Sequence, residues 1–134
     1  MGSIKYTAGE ENLSAKEFIA FAGQVWPGHY DEDKTARALS RTFNITARSE
    51  GRLVGCLRIL TDGYYFATIT EILVLPRFQK QGIGSRLLEL AKEFSPASLY
   101  FGAQPGKETF YEKNGFEKGM QSYTFYKKDC NNKI

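Results

Sequence analysis

Val74-Leu75-Pro76-Arg77-Phe78-Gln79-Lys80-Gln81-Gly82-Ile83-Gly84-Ser85-Arg86-Leu87-Leu88 is the stretch that decides how this chain is read. Its first residues close an apolar run at Pro76, which cannot donate to a strand ladder. Its last residues begin a helical repeat of apolar positions at Ile83, Leu87, Leu88, Leu90 and Ala91. A strand therefore hands over to a helix through a loop rich in glycine and base. The first backbone N–H groups of a helix have no internal partners and carry partial positive charge, so such a junction is a ready site for phosphate oxygens. Gly82 and Gly84 let the main chain approach closely, and Arg77, Lys80 and Arg86 add formal charge, a combination that would suit an extended anion such as a pyrophosphate. The competing reading is a plain glycine turn between packed elements. Two commoner phosphate motifs fail here. Leu87 stands where a dinucleotide fingerprint needs its third glycine, and the Gly106-Lys107 pair is followed by Glu108 where a P-loop needs Ser or Thr.

Upstream, Tyr65 to Leu75 reads as a central strand. It follows Ile45 to Arg48, a Glu50-Gly51 turn, Leu53 to Leu60 and an Asp62-Gly63 turn, a pattern of antiparallel hairpins. Ser14 with Glu17, ahead of Phe18, Ile19, Phe21, Ala22 and Val25, predicts a capping box opening an amphipathic helix that Pro27-Gly28 ends. Asp31, Glu32 and Asp33 favour the positive end of a second helix running to Phe43, and Ile4 to Thr7 offers an extra strand. Downstream, the helix from Ile83 ends near Ser95-Pro96, and Leu99-Tyr100-Phe101 makes a short strand. Pro105-Gly106 opens a helix carrying Phe110 and Tyr111, Asn114-Gly115 stops it, and Tyr123-Thr124-Phe125-Tyr126 gives a last strand. Hairpins combined with parallel crossovers make a mixed α/β sheet.

At 134 residues, with 42% hydrophobic and 25% charged side chains, the chain has room for one domain, residues 1–134, with a core over about 4–128 and a frayed tail at 129–134. Uncharged apolar stretches such as Ile72 to Pro76 are far short of the ~20 residues of a membrane-spanning helix, so no membrane partner is expected. Met1 to Lys5 shows no secretory pattern, which sets the expected compartment as cytoplasmic. Cys56 and Cys130 read as free thiols, and a single histidine, His29, leaves no metal site to expect. The net charge of +3 is spread along the chain without a basic run, so no nucleic-acid partner is expected either.

Gln79-x-x-Gly82-x-Gly84, directly after a strand ending in Val74-x-Pro76, resembles the coenzyme A signature of the GCN5-related N-acetyltransferases (GNAT), written there Gln/Arg-x-x-Gly-x-Gly/Ala. Phe110-Tyr111-Glu112-Lys113-Asn114-Gly115-Phe116 resembles the second landmark of that family, and the two stand in register over about residues 4 to 128. The resemblance implies a single-domain GNAT-like acyl-CoA N-acyltransferase fold with splayed central strands, here Thr68 to Leu75 and Leu99 to Phe101. It implies acetyl transfer from acetyl-coenzyme A to a primary amine in a direct ternary complex. Ile72, Leu73 and Val74 would bond the pantetheine amides as a pseudo-strand, and one of their N–H groups would face the thioester oxygen as charge grows on it. Gln79, Lys80, Gln81, Gly82, Ile83, Gly84 and Ser85 would cradle the diphosphate. Gln104 falls where relatives often carry a coenzyme-contacting asparagine, and Lys107 where they usually have alanine.

An alkylammonium with a pKa near 10.4 has only about one molecule in a thousand nucleophilic at neutral pH, so a base must take its proton. Glu71, a carboxylate on the central strand, is the candidate, with Asp62 behind it. Its alternative reading is a solvated or paired strand residue, since Thr68 occupies a site where some members of the family carry the acid. Tyr111 matches the tyrosine that protonates the leaving thiolate in many members; as a core aromatic it would instead only pack, as Phe110 and Phe116 do. The first two helices wall the acceptor pocket in the family, which here means Trp26, His29, Tyr30 and Asp31, suited to an amine bearing an apolar group. Tyr64-Tyr65-Phe66 could line that pocket or a dimer interface, relatives often being homodimers. A small-molecule primary amine is thus the expected partner. A coenzyme-binding module without catalysis and a protein N-terminal or lysine acetyltransferase stay open beside it.

Overall fold

The computed structural model describes residues 2–127. In chain order its elements are β1 (Ile4–Ala8), α1 (Ala15–Val25), α2 (Glu32–Ser40), β2 (Phe43–Ser49), β3 (Arg52–Thr61), β4 (Ala67–Val74), a 3-10 turn (Pro76–Phe78), α3 (Ile83–Phe94), β5 (Leu99–Tyr100) and α4 (Glu108–Lys113). The strands form one sheet in the order β1-β2-β3-β4-β5, antiparallel except for the parallel β4–β5 pair. Consecutive residues Glu50 and Gly51 both take positive φ, 50° and 81°, the tight turn whose twist matches the β2–β3 hairpin.

Each face of the sheet is covered by a helix. A Cβ on Gly55 of β3 would lie 3.1 Å from Ile83 and 3.4 Å from Leu87, so the missing side chain lets α3 settle on the sheet. Arg58, on the opposite face of the same strand by the two-residue alternation, lies 5.6 Å from the Phe18 ring of α1. Ile45, Leu57, Ile59, Leu75, Ile83, Leu87 and Leu88 are fully buried between these layers. Among the described residues no helix is long and apolar enough to cross a membrane.

Several boundaries depart from the sequence expectation. Helix α2 stops at Ser40 and not at Phe43, because Asn44 Nδ2 donates to the Leu39 carbonyl at 3.0 Å and Phe43 already pairs with Ile59 in β2–β3. Ser14 Oγ accepts the Glu17 N–H at 3.0 Å, but the Glu17 carboxylate turns to Arg48, so only half of the capping box forms. Strand β4 starts at Ala67, not Tyr65, since Asp62 accepts the N–H groups of Tyr64, Tyr65 and Phe66 and folds them into the turn. Helix α4 starts at Glu108, after a turn closed by Lys107 N–H on the Gln104 carbonyl. Tyr123 to Tyr126 form no strand: the segment is irregular, with Tyr123 90% and Phe125 88% exposed. Its alternation satisfies strand propensity, yet a strand needs a ladder to join. Cys130 and the tail at 129–134 lie outside the described residues.

Candidate active site

Strand β4 loses its neighbour halfway. β5 pairs with it only at Ala67↔Leu99 and Thr68↔Tyr100, after which the chain leaves the sheet at Phe101. From Ile69 to Val74 that edge of β4 has no strand beside it and faces a cavity of about 630 Å3. Phe101, Gln104, Lys107, Phe110 and Tyr111 form the far wall. On the other side of β4 the register shifts between Arg58↔Glu71 and Ile59↔Ile69, leaving Thr70 as an extra residue. This bulge bends the strand next to Glu71, and the implied splayed pair is thereby present.

The glycine turn closes one end of the cavity. Lys80 and Gly82 take positive φ, 63° and 87°, so the chain reverses handedness twice before α3 begins. Helices α1 and α2 carry side-chain caps, Ser14 and Asp31, whereas Gly82 gives α3 none. The first ladder bond of α3 runs from Arg86 N–H to the Gly82 carbonyl at 3.0 Å, which leaves the N–H groups of Ile83, Gly84 and Ser85 outside the ladder. Nothing lies within 4 Å of a Cβ built on Gly82, while one on Gly84 would stand 3.1 Å from Phe110. Gln79 Nε2 donates to the Val74 carbonyl at 2.9 Å and braces the turn against the strand end.

Glu71 and Tyr111 share this cavity. Arg58, directly opposite Glu71 in the ladder, holds Glu71 Oε1 at 2.7 Å, with the Glu71 side chain 2% exposed. Glu71 Oε2 and Arg58 Nε are buried without a hydrogen-bond partner. The Tyr111 ring packs against Phe101 at 4.7 Å and Phe110 at 5.2 Å, and burial raises its phenol above the usual 10.0. It stays protonated through the neutral range.

Of the residues singled out from sequence, Glu71, Ile72, Leu73, Val74, Gln79, Lys80, Gly82, Gly84, Ser85, Gln104 and Tyr111 line this one cavity. Gln81 and Ile83 do not: Gln81 Nε2 donates to the Arg77 carbonyl at 3.1 Å, and the Ile83 side chain is core, leaving only its main chain toward the turn. Arg77 and Arg86 are also off the wall, with Arg77 over Phe78 and Arg86 on Glu89. Asp62 is spent on its turn, whose three N–H groups hold its carboxyl below the ordinary range. Asp31 caps α2 and is lowered by the Lys34 N–H, while Tyr30 donates to the Trp26 carbonyl at 2.6 Å. Trp26 itself reaches the cavity; His29, Tyr30 and Asp31 are not on its wall, and the exposed Tyr64, Tyr65 and Phe66 lie away from it. The sequence reading passed over Arg58, although a lone arginine inside the apolar run Leu53–Leu60 signals a buried charge with a partner. Among the described residues no cluster of His, Cys, Asp and Glu could hold a metal ion.

Residues 40–118 match the family model of the acetyltransferase (GNAT) domain. The chain is 32% identical over 90 residues to the GCN5-related N-acetyltransferase 2, chloroplastic, of Arabidopsis thaliana, a match covering 60% of this chain and 34% of that one. It spans between 34% and 54% of the length of the curated relatives it matches. A GNAT family acetyltransferase from Streptococcus pneumoniae superposes with a TM-score of 0.76 at 23% identity, covering 95% of this chain and all of that one (100%). An aminoglycoside N-acetyltransferase in complex with a coenzyme A bisubstrate analogue superposes at 0.74 with 17% identity, covering 96% of this chain and 100% of that one.

Proposed function

The chain belongs to the GNAT acetyltransferase family, and from that premise we propose that it transfers an acetyl group from acetyl-coenzyme A to the primary amine of a small molecule. The observation that carries this reading is that an uncapped helix start and an open strand edge meet in one cavity. The residues present fit the coenzyme: Gly82 leaves open space beside the free N–H groups of α3, and Lys80 and Lys107 are the cations among the described lining residues. Those N–H groups would hold the diphosphate, and the main chain of Ile72, Leu73 and Val74 would hold the arm. When bound, the coenzyme supplies the activated acetyl group.

The chain's own side chains would move the protons. Glu71 Oε2, the carboxylate oxygen that Arg58 leaves free, accepts the proton of the acceptor ammonium. Tyr111, held neutral by burial, gives its hydroxyl proton to the leaving thiolate, whose conjugate acid has a pKa near 8.5. Calorimetry with coenzyme A, followed by thiol release on addition of amines, tests the reading. We expect binding and amine-dependent release, both lost when Gly82→Leu forces a branched side chain into a positive-φ position. Binding without amine-dependent release would instead establish a coenzyme-binding module.

A further inference from the structure

Glu71 is the only carboxylate among the described lining residues, while Asp31 and Asp62 are committed to backbone N–H groups elsewhere. Its charge is already shared, because Arg58 holds Oε1 at 2.7 Å. Arg58 is itself fixed from α1 and from the turn between α2 and β2: its guanidinium lies 5.6 Å from the Phe18 ring centre, and its Nη1 stands 3.4 Å from Thr42 Oγ1, which bonds Asn44 at 2.7 Å. The carboxylate is therefore held in one orientation with Oε2 buried and without a donor. A buried anionic oxygen left unmatched is costly, and an ammonium is the donor that compensates it best. Val25, Trp26, Ile69 and Phe101 give the same cavity apolar and aromatic wall, and among the described lining residues a second ammonium would find no further anion.

Resting on the acetyltransferase reading, we infer that Arg58 and Glu71 act as a unit that admits a single ammonium, so that the acceptors are monoamines with an apolar or aromatic body and not polyamines or poly-amino sugars. Arg58 is here a specificity-determining residue that works through Glu71.

The test compares 2-phenylethylamine with spermidine by thiol release at saturating acetyl-coenzyme A, in the wild type, Arg58→Met and Arg58→Lys. The wild type should favour the monoamine in kcat/KM by at least about tenfold, the scale on which apolar pockets and unpaired charges discriminate. In Arg58→Met the Glu71 charge is no longer shared, so the ratio should fall toward one, and Arg58→Lys should restore it. A merely structural role for Arg58 would lower both rates and leave the ratio alone. Equal or better turnover of spermidine by the wild type overturns the inference, as does an unchanged ratio in Arg58→Met. Should Arg58→Met fail to fold, the wild-type ratio and its retention in Arg58→Lys decide. Coenzyme A binding is measured alongside: its absence overturns the acetyltransferase reading itself, whereas binding with spermidine-favouring turnover overturns only this inference.

Discussion

Two arginines on neighbouring strands hold glutamates, and they are finished to different degrees. Arg48 on β2 bonds both oxygens of Glu10 and both of Glu17, at 2.6 to 3.2 Å, and donates to the Gly51 carbonyl as well. Thr46 adds a further donor to Glu10 at 2.6 Å. Nothing is left over, and the cluster ties α1 and the chain after β1 to the sheet. Arg58 on β3 holds one oxygen of Glu71 and leaves the other, together with its own Nε, buried and unmatched beside a cavity. Buried polar atoms are ordinarily satisfied, so a saturated network marks a cross-link and an unsaturated one in a cavity marks a place kept for a ligand.

The largest expected effect breaks the second pair where it reacts. Glu71→Gln keeps an oxygen for Arg58 but cannot take the ammonium proton, and turnover should fall about a thousandfold with coenzyme affinity unchanged. Full turnover in this variant would return Glu71 to the class of Arg48's partners. Tyr111→Phe should cost about a hundredfold in kcat, again without loss of coenzyme binding, as calorimetry and thiol-release rates on one preparation will show. Arg48→Met is the converse experiment. Removing the centre of the saturated cluster strands two carboxylates and should destabilise the fold by about 2 kcal/mol in urea unfolding, with turnover at low temperature unaffected. The smallest effect is on pH dependence. The Arg48 hydrogen bond lowers the Glu10 carboxyl from its ordinary 4.5. Its stabilisation is present above that value and lost as pH falls through the lower folded one, so Glu10→Gln should flatten the stability profile below about pH 4.5.

The junction from Val74 to Leu88 was legible because strand end, glycines and helical repeat are local signals, and the structure brings most of the residues named from it to one cavity wall. Legibility stopped where a distant partner decides. Phe43 belongs to a strand because Ile59 lies across from it, and Asn44 ends α2 by reaching back to Leu39. Tyr123 to Tyr126 alternate like a strand yet have no ladder to join. Arg58 was hidden in an apolar run, since only the β3–β4 register sets it against Glu71. The choice between base and paired strand residue for Glu71 could not be made from sequence for the same reason: it is paired at one oxygen, and the other is buried without a hydrogen-bond partner.

A crystal structure with coenzyme A bound tests the central idea most directly. The diphosphate should lie about 3 Å from the main-chain nitrogens of Ile83, Gly84 and Ser85, with the arm laid along Ile72 to Val74. A diphosphate bound elsewhere, with those nitrogens still without an acceptor, would contradict it.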